Sequence, residues 1–355
     1  MKINDIDKSI LDKFRKGTVI PAMPLALNEY REFDQPAQEV LTRYYMDAGA
    51  GGLAVGVHST QFAIREHGLF EKVLSCVSVT ADRWSEKTGN RIFKVAGACG
   101  KTAQAVAEAE FAKETGYHAA MLSLVAVKDA GIPAMIDHCA KVAEVTPLIG
   151  FYLQSAVGGP ALPYSFWKEL MKIPNVVGIK IAPFNRYKTF DVFRALCEAE
   201  KENEITLYTG NDDTIVADLL TEYKIHVNGA YQKVRFKGGL LGHWCVWTQK
   251  AVRLLHEIHT LIDSGKDIPP ELLTRAMEIT DCNAAFFDAA HNFAGCIPGI
   301  HEVLRRQGLM KGTYCLDPNE QLSPGQSDEI SRVYKAYPHL NDDEFVKSGI
   351  EKWRS

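Results

Sequence analysis

The residue whose setting is hardest to explain without chemistry is Lys180, near the end of "IPNVVGIKIAP" (173–183). Positions 176–181 form an apolar run behind a Pro-Asn turn signal, which predicts a buried strand. Lysine is rarely buried unless it is paired or has lost its charge. Two roles are open to it. As a strand-end residue it reaches water with its stem along apolar neighbours. As a desolvated amine with a lowered pKa it attacks a carbonyl carbon. The strand alone favours the first.

Other residues of chemical type stand at the ends of apolar runs. "GVHSTQF" supplies His58, Ser59, Thr60 and Gln61, "PLIGFYLQS" supplies Tyr152 and Gln154, "GNDD" supplies Asn211, Asp212 and Asp213, and "GLLGHW" supplies His243 and Trp244. His58 titrates near neutrality and suits either acid–base work or a structural turn. The acids of "GNDD" look like metal ligands, but a helix cap beside a solvated carboxylate accounts for them better. The eight cysteines form no CxxC and no Cys–His zinc spacing. They are expected to be reduced core residues, with no metal bound.

These residues need elements to hold them. Eight strand candidates lie at 18–25, 52–56, 91–98, 118–124, 147–153, 176–181, 205–210 and within 237–247. Amphipathic stretches separate nearly all of them. Regular β–α alternation predicts a parallel sheet, and eight units in this length predict a closed (β/α)8 TIM barrel. A doubly wound open sheet is the alternative, but no GxGxxG follows the first strand. From 249 to 355 the pattern is helical throughout. The expected organisation is an α/β barrel domain over 1–248 and a C-terminal helical appendage over 249–355. The carboxyl ends of barrel strands carry active sites, and all the residues named above sit there.

The stretches "GTVIPAMPL", "GLAVGVHSTQF", "PLIGFYLQS", "IPNVVGIK" and "YTGNDD" resemble the dihydrodipicolinate synthase / N-acetylneuraminate lyase family of Schiff-base aldolases over roughly 15–330. The pairing of a "GFY" strand with a "VVGIK" strand about 28 residues later is the most specific element. The resemblance implies that Lys180 forms a covalent imine with the keto carbon of a 2-oxo acid, with no other cofactor. It implies that Tyr152 relays protons at that carbon. His58, Ser59, Thr60 and Gln61 would bind the substrate carboxylate, with Gln154, Asn211 and His243 as further substrate contacts. Two features depart from the family: no arginine follows Tyr152, and "MLSLVAVKDAG" lacks the family's relay tyrosine. A second carboxylate would lose its bidentate clamp. The chain therefore reads as a divergent member rather than the lysine-biosynthesis synthase itself. The near neighbourhood "IHVNGAYQKVRFKGGLLGHW" (225–244) is longer than usual and is expected to carry Arg235, His243 and Trp244 towards the mouth.

The function implied is a lyase acting on a 2-oxo acid, by aldol cleavage or condensation or by dehydration of a 3-deoxy-2-oxo sugar acid. The alternatives are dihydrodipicolinate synthase activity proper and a barrel that binds a 2-oxo acid without turnover. The partner is a small-molecule 2-oxo acid. The formal net charge of −4 and pI near 6.3 give no basic excess for nucleic acid or an anionic membrane. No run of 18 apolar residues and no signal peptide are found, so a cytoplasmic protein is expected. The resemblance further implies a homodimer or homotetramer.

Overall fold

The structure, a computed structural model, describes residues 1–155 and 158–355. The described strands are β1 Val19–Pro21, β2 Gly52–Val55, β3 Phe93–Ala98, β4 Ala119–Leu122, β5 Leu148–Leu153, β6 Val176–Ala182, β7 Thr206–Thr209, β8 Tyr223–Val227, β9 Ala230–Val234 and β10 Gly238–Leu241. Eight of them form one sheet in the order β1-β10-β7-β6-β5-β4-β3-β2. A parallel bridge from Ala22 to Ala54 links the two ends. This is a (β/α)8 barrel, and each of its eight strands falls on a predicted candidate. The strands are apolar runs because parallel barrel strands are buried on both faces.

Helices α1 Lys8–Lys16, α2 Gln35–Asp47, α3 Phe70–Thr88, α4 Thr102–Glu114, α5 Ile132–Val145, α6 Tyr164–Leu170, α7 Arg186–Glu198 and α8 Ile215–Leu220 accompany the strands. Beyond them, α9 Thr248–Ser264, α10 Pro270–Phe286, α11 Cys296–Arg306, α12 Gln326–Ala336 and α13 Asp343–Arg354 make the C-terminal part helical. No helix among the described residues is long and apolar enough to cross a membrane. Among the described residues none of the eight cysteines is in a disulfide.

The chain forms two compact units, each discontinuous in sequence. The first comprises Met1–Thr18, Phe93–Asn211 and Ala217–Leu240; the second comprises Val19–Ile92, Asp212–Val216 and Leu241–Ser355. In the first, Asp7 caps α1 by accepting the Ser9 N–H at 2.9 Å. The buried Phe14 of α1 stacks on Phe93 (4.2 Å between ring centroids) and on Tyr208 (4.8 Å). The Tyr208 hydroxyl donates to the Phe14 carbonyl at 2.7 Å. This aromatic stack closes one end of the strand faces that carry Phe93, Gly178 and Tyr208.

One hairpin was not expected. The stretch 213–224 reads as a single helix, but α8 stops at Leu220, and β8 pairs antiparallel with β9. The turn between them is Asn228-Gly229, with φ of 50° and 80°. Two consecutive positive φ values make the twisted turn that tight hairpins need. The Asn-Gly dipeptide in "IHVNGAYQKV" was the available signal. Arg235, expected near the mouth, pairs instead with Glu222 at 3.0 Å, alongside Lys233 at 3.2 Å.

In the second unit the C-terminal helix is tied to α2. Asp47 accepts hydrogen bonds from the indoles of Trp84 and Trp353, each at 2.8 Å. The Tyr44 hydroxyl donates to Asp342 at 2.8 Å.

Candidate active site

Lys180 lies in the first unit with flanking strands on both sides. Register pairs it with Phe151 of β5 and with Tyr208 of β7. Its Nζ sits 4.7 Å from the centroid of the Phe151 ring. Gly210 faces its stem so closely that a Cβ there would lie 2.6 Å from the lysine Cε and 2.8 Å from the Ala182 Cβ. The lysine chain thus runs over bare backbone on one side and over an aromatic face on the other.

Two independent contacts fix which face of β6 this is. Gly178, two residues before Lys180 and so on the same face, would meet the Phe14 ring with its Cβ at 3.0 Å. Tyr208 stacks on that same Phe14 ring. Lys180, Gly178 and Tyr208 therefore share the inner face of these strands.

Tyr152 is on the other face. Its hydroxyl donates to the Leu162 carbonyl at 3.0 Å, and its ring lies 5.0 Å from that of Trp167 in α6. Gly150, two residues earlier, also faces α6, with a Cβ position 2.9 Å from Leu170. Burial pushes the Tyr152 phenol up to about 12. A tyrosine that relays protons at the Lys180 substrate carbon would have to turn inward beside the lysine, and Tyr152 does not. The reason is a register shift. Leu148 pairs with Val176, an offset of 28 residues, but Ile149 pairs with Gly178. The extra residue, Val177, makes a bulge, and Phe151 arrives opposite Lys180 where Tyr152 would otherwise have stood. A one-residue slip exchanges the faces of a strand.

Asn211 follows β7 and is committed to scaffolding. Its Oδ1 accepts the Phe184 N–H at 3.0 Å, and its Nδ2 donates to Asp218 Oδ2 at 2.9 Å. The Thr209 hydroxyl donates to the same oxygen at 2.6 Å, and Arg186 reaches the other at 2.6 Å. Phe184 is held at a φ of 50°. This network locks the turns after β6 and β7 to each other. Asp218, its centre, is fully buried in α8; an aspartate inside the apolar "IVADLL" was the signal for it. Gln154 follows β5, half-buried, and its carbonyl accepts the Gly159 N–H at 3.0 Å.

In the second unit the strand-two turn is two short 3-10 helices, His58–Thr60 and Phe62–Ile64. The Ser59 hydroxyl donates to the Ala22 carbonyl. The Thr60 hydroxyl donates to Met23 O at 2.7 Å and accepts the N–H groups of Gly56 (3.0 Å) and Val57 (3.3 Å). Both hydroxyls thus fasten the turn to the loop after β1. His58 is exposed, with its ring edge-on to Phe62. Gln61 differs from its neighbours. It has a φ of 64° and is 4% exposed. Its Oε1 accepts the Leu316 N–H at 2.7 Å, which fixes the amide orientation, while its Nε2 has no protein partner. A buried unsatisfied donor is costly and marks a place for a ligand or a water.

His243, after β10, donates its backbone N–H to Asp212 Oδ1 at 2.8 Å and stacks its ring on Phe286. Burial holds the imidazole near pKa 4, so it is neutral at pH 7. With Trp244, Trp247, Leu254 and Ile279 it lines a cleft of the second unit. Among the described residues no three His, Cys, Asp or Glu side chains cluster as metal ligands.

No curated protein matches the sequence. The fold is shared with several solved structures. Dihydrodipicolinate synthase from Acinetobacter baumannii, solved with pyruvate, is 18% identical with a TM-score of 0.71, over 90% of this chain and 98% of that one. CdNal from Clostridium difficile, solved with mannosamine, is 13% identical with a TM-score of 0.69, over 90% and 99%. YagE, an E. coli K12 prophage protein of the dihydrodipicolinic acid synthase family solved with pyruvate, is 16% identical with a TM-score of 0.69, over 90% and 97%. A family model matches residues 15–224, more than half of the sequence. The chain belongs to the dihydrodipicolinate synthetase family.

Proposed function

We propose that the protein is a lyase of 2-oxo acids that works through an imine at Lys180. The observation that carries this reading is the setting of Lys180 on the inner face, between Phe151, Tyr208 and the side-chain-free Gly210. The neutral amine adds to the keto carbon and gives a carbinolamine. Protonation of its hydroxyl releases one water and leaves the imine. The imine then accepts the electron pair from a C3–H or C3–C4 bond as an enamine forms. Loss of the C3 proton followed by departure of the C4 hydroxyl as water is the dehydration, and loss of the C4 hydroxyl proton to water as C3–C4 breaks frees an aldehyde. The Gln61 Nε2 is the proposed donor to the substrate carboxylate, since its other amide atom is already engaged. His58, Gln154 and His243 are proposed as further substrate contacts. Ser59, Thr60 and Asn211 act by holding the turns. A homodimer or homotetramer is the proposed assembly.

The commitment of both strand-two hydroxyls to backbone carbonyls favours a second reading, a barrel that binds a 2-oxo acid without turnover. Borohydride reduction in the presence of pyruvate separates the two. The lyase reading expects a peptide adduct at Lys180 that is missing in Lys180→Ala. A ligand-induced rise in melting temperature with no adduct, across a panel of 2-oxo acids, would leave the binding barrel.

A further inference from the structure

We infer that Phe151, not Tyr152, is the aromatic residue that positions Lys180, and that Tyr152 belongs to the packing between β5 and α6. The inference rests on the Lys180 reading for its chemistry, but its geometry stands alone.

Three observations converge. The bulge at Val177 sets Phe151, not Tyr152, in register with Lys180. The lysine Nζ lies over the Phe151 ring at 4.7 Å, a distance at which the ring's negative face attracts an ammonium. The Tyr152 hydroxyl is consumed by the Leu162 carbonyl, and its ring packs against Trp167. Moving that phenol to Lys180 would require β5 to slip by one residue. The slip would turn Gly150 inward and bring Ile149, Phe151 and Leu153 against the helices, breaking the packing of a whole strand.

The chemical consequence is specific. Proton transfer at the substrate carbon does not pass through the Tyr152 phenol. Of the residues in register with Lys180, Tyr208 is the titratable one, and its hydroxyl is turned to the Phe14 carbonyl. Phe151 offers no proton. It holds the ammonium over its face and keeps the amine aimed along the inner surface.

The test uses two readouts on the full-length protein. The first is the rate at which trace acetic anhydride acetylates Lys180, read by peptide mass spectrometry. The second is borohydride trapping of pyruvate. Tyr152→Phe should leave both within about twofold of wild type while lowering the melting temperature, because only a hydrogen bond to the Leu162 carbonyl is lost. Phe151→Leu keeps apolar volume but removes the π face; the neutral amine gains, and acetylation at fixed pH should rise about fivefold. Phe151→Tyr keeps the ring and should return the rate to the wild-type value. A folded Tyr152→Phe that traps pyruvate more than about tenfold more slowly would overturn the inference, as would acetylation unchanged by Phe151→Leu. If wild type traps no 2-oxo acid, the imine reading fails by itself, and the acetylation arm still decides the place of Phe151.

Discussion

At the scale of single residues, the buried carboxylate of Asp218 does more than any substrate-facing group to hold the turns in place. It gathers Thr209, Asn211 and Arg186 within 2.9 Å. Removing it leaves the buried donors of Thr209 and Asn211 unmatched, while the exposed Arg186 keeps only its bond to the Tyr223 hydroxyl. Asp218→Ala should therefore cost about 3–5 kcal/mol in urea unfolding, more than a mere loss of hydrogen bonds. A cost below about 1 kcal/mol would mean that water takes over the carboxylate's place. The carboxylate's importance was not legible because its partners are scattered over 186–218 and only folding gathers them. Lys180, in contrast, was legible as a residue out of character with its strand. Its partner was not. "LIGFYL" is apolar on both faces, so nothing in the alternation says whether Phe151 or Tyr152 turns inward. That choice was made by one extra residue in the neighbouring strand.

At the scale of elements, the β8–β9 hairpin hangs on a two-residue turn. Gly229 has a φ of 80°, and a Cβ there would meet nothing within 4 Å. Any cost of replacing it is thus backbone strain alone. Gly229→Ala should lower stability by about 1 kcal/mol without changing the reactivity of Lys180, as measured by denaturant melts beside acetylation. The barrel strands were readable because burial on two faces writes continuous apolar runs. The hairpin was missed because its polar outer residues, Lys224, His226, Tyr231 and Lys233, blur into the preceding helix pattern.

At the scale of the whole molecule, pH should act through buried imidazoles. Burial lowers both His243 and His301 from 6.5 to about 4. Unfolding exposes each to water, where it binds a proton below pH 6.5. Stability is then at its full value above about 6.5 and falls as the pH drops towards 4. Each histidine contributes a slope of about 1.4 kcal/mol per pH unit across that window. His243→Gln should remove one such contribution, visible as a shallower fall of the unfolding free energy between pH 6.5 and 4. An unchanged slope would mean that the His243 ring is already protonated in the fold. The division into two compact units was beyond the reach of sequence, since each unit is assembled from three separate stretches. Composition shifts mark boundaries only where a unit is continuous.

Gly210 has a consequence for descent. A methyl group at that position would overlap both the lysine stem and Ala182. While position 180 carries a lysine, a side chain at position 210 would have to displace the lysine stem and press on Ala182. A lineage that abandoned the lysine for a short side chain would reopen part of that space, and drift would begin to fill it. Glycine at 210 is therefore a molecular record: among diverging copies of this gene, its loss should follow the loss of Lys180 and never precede it.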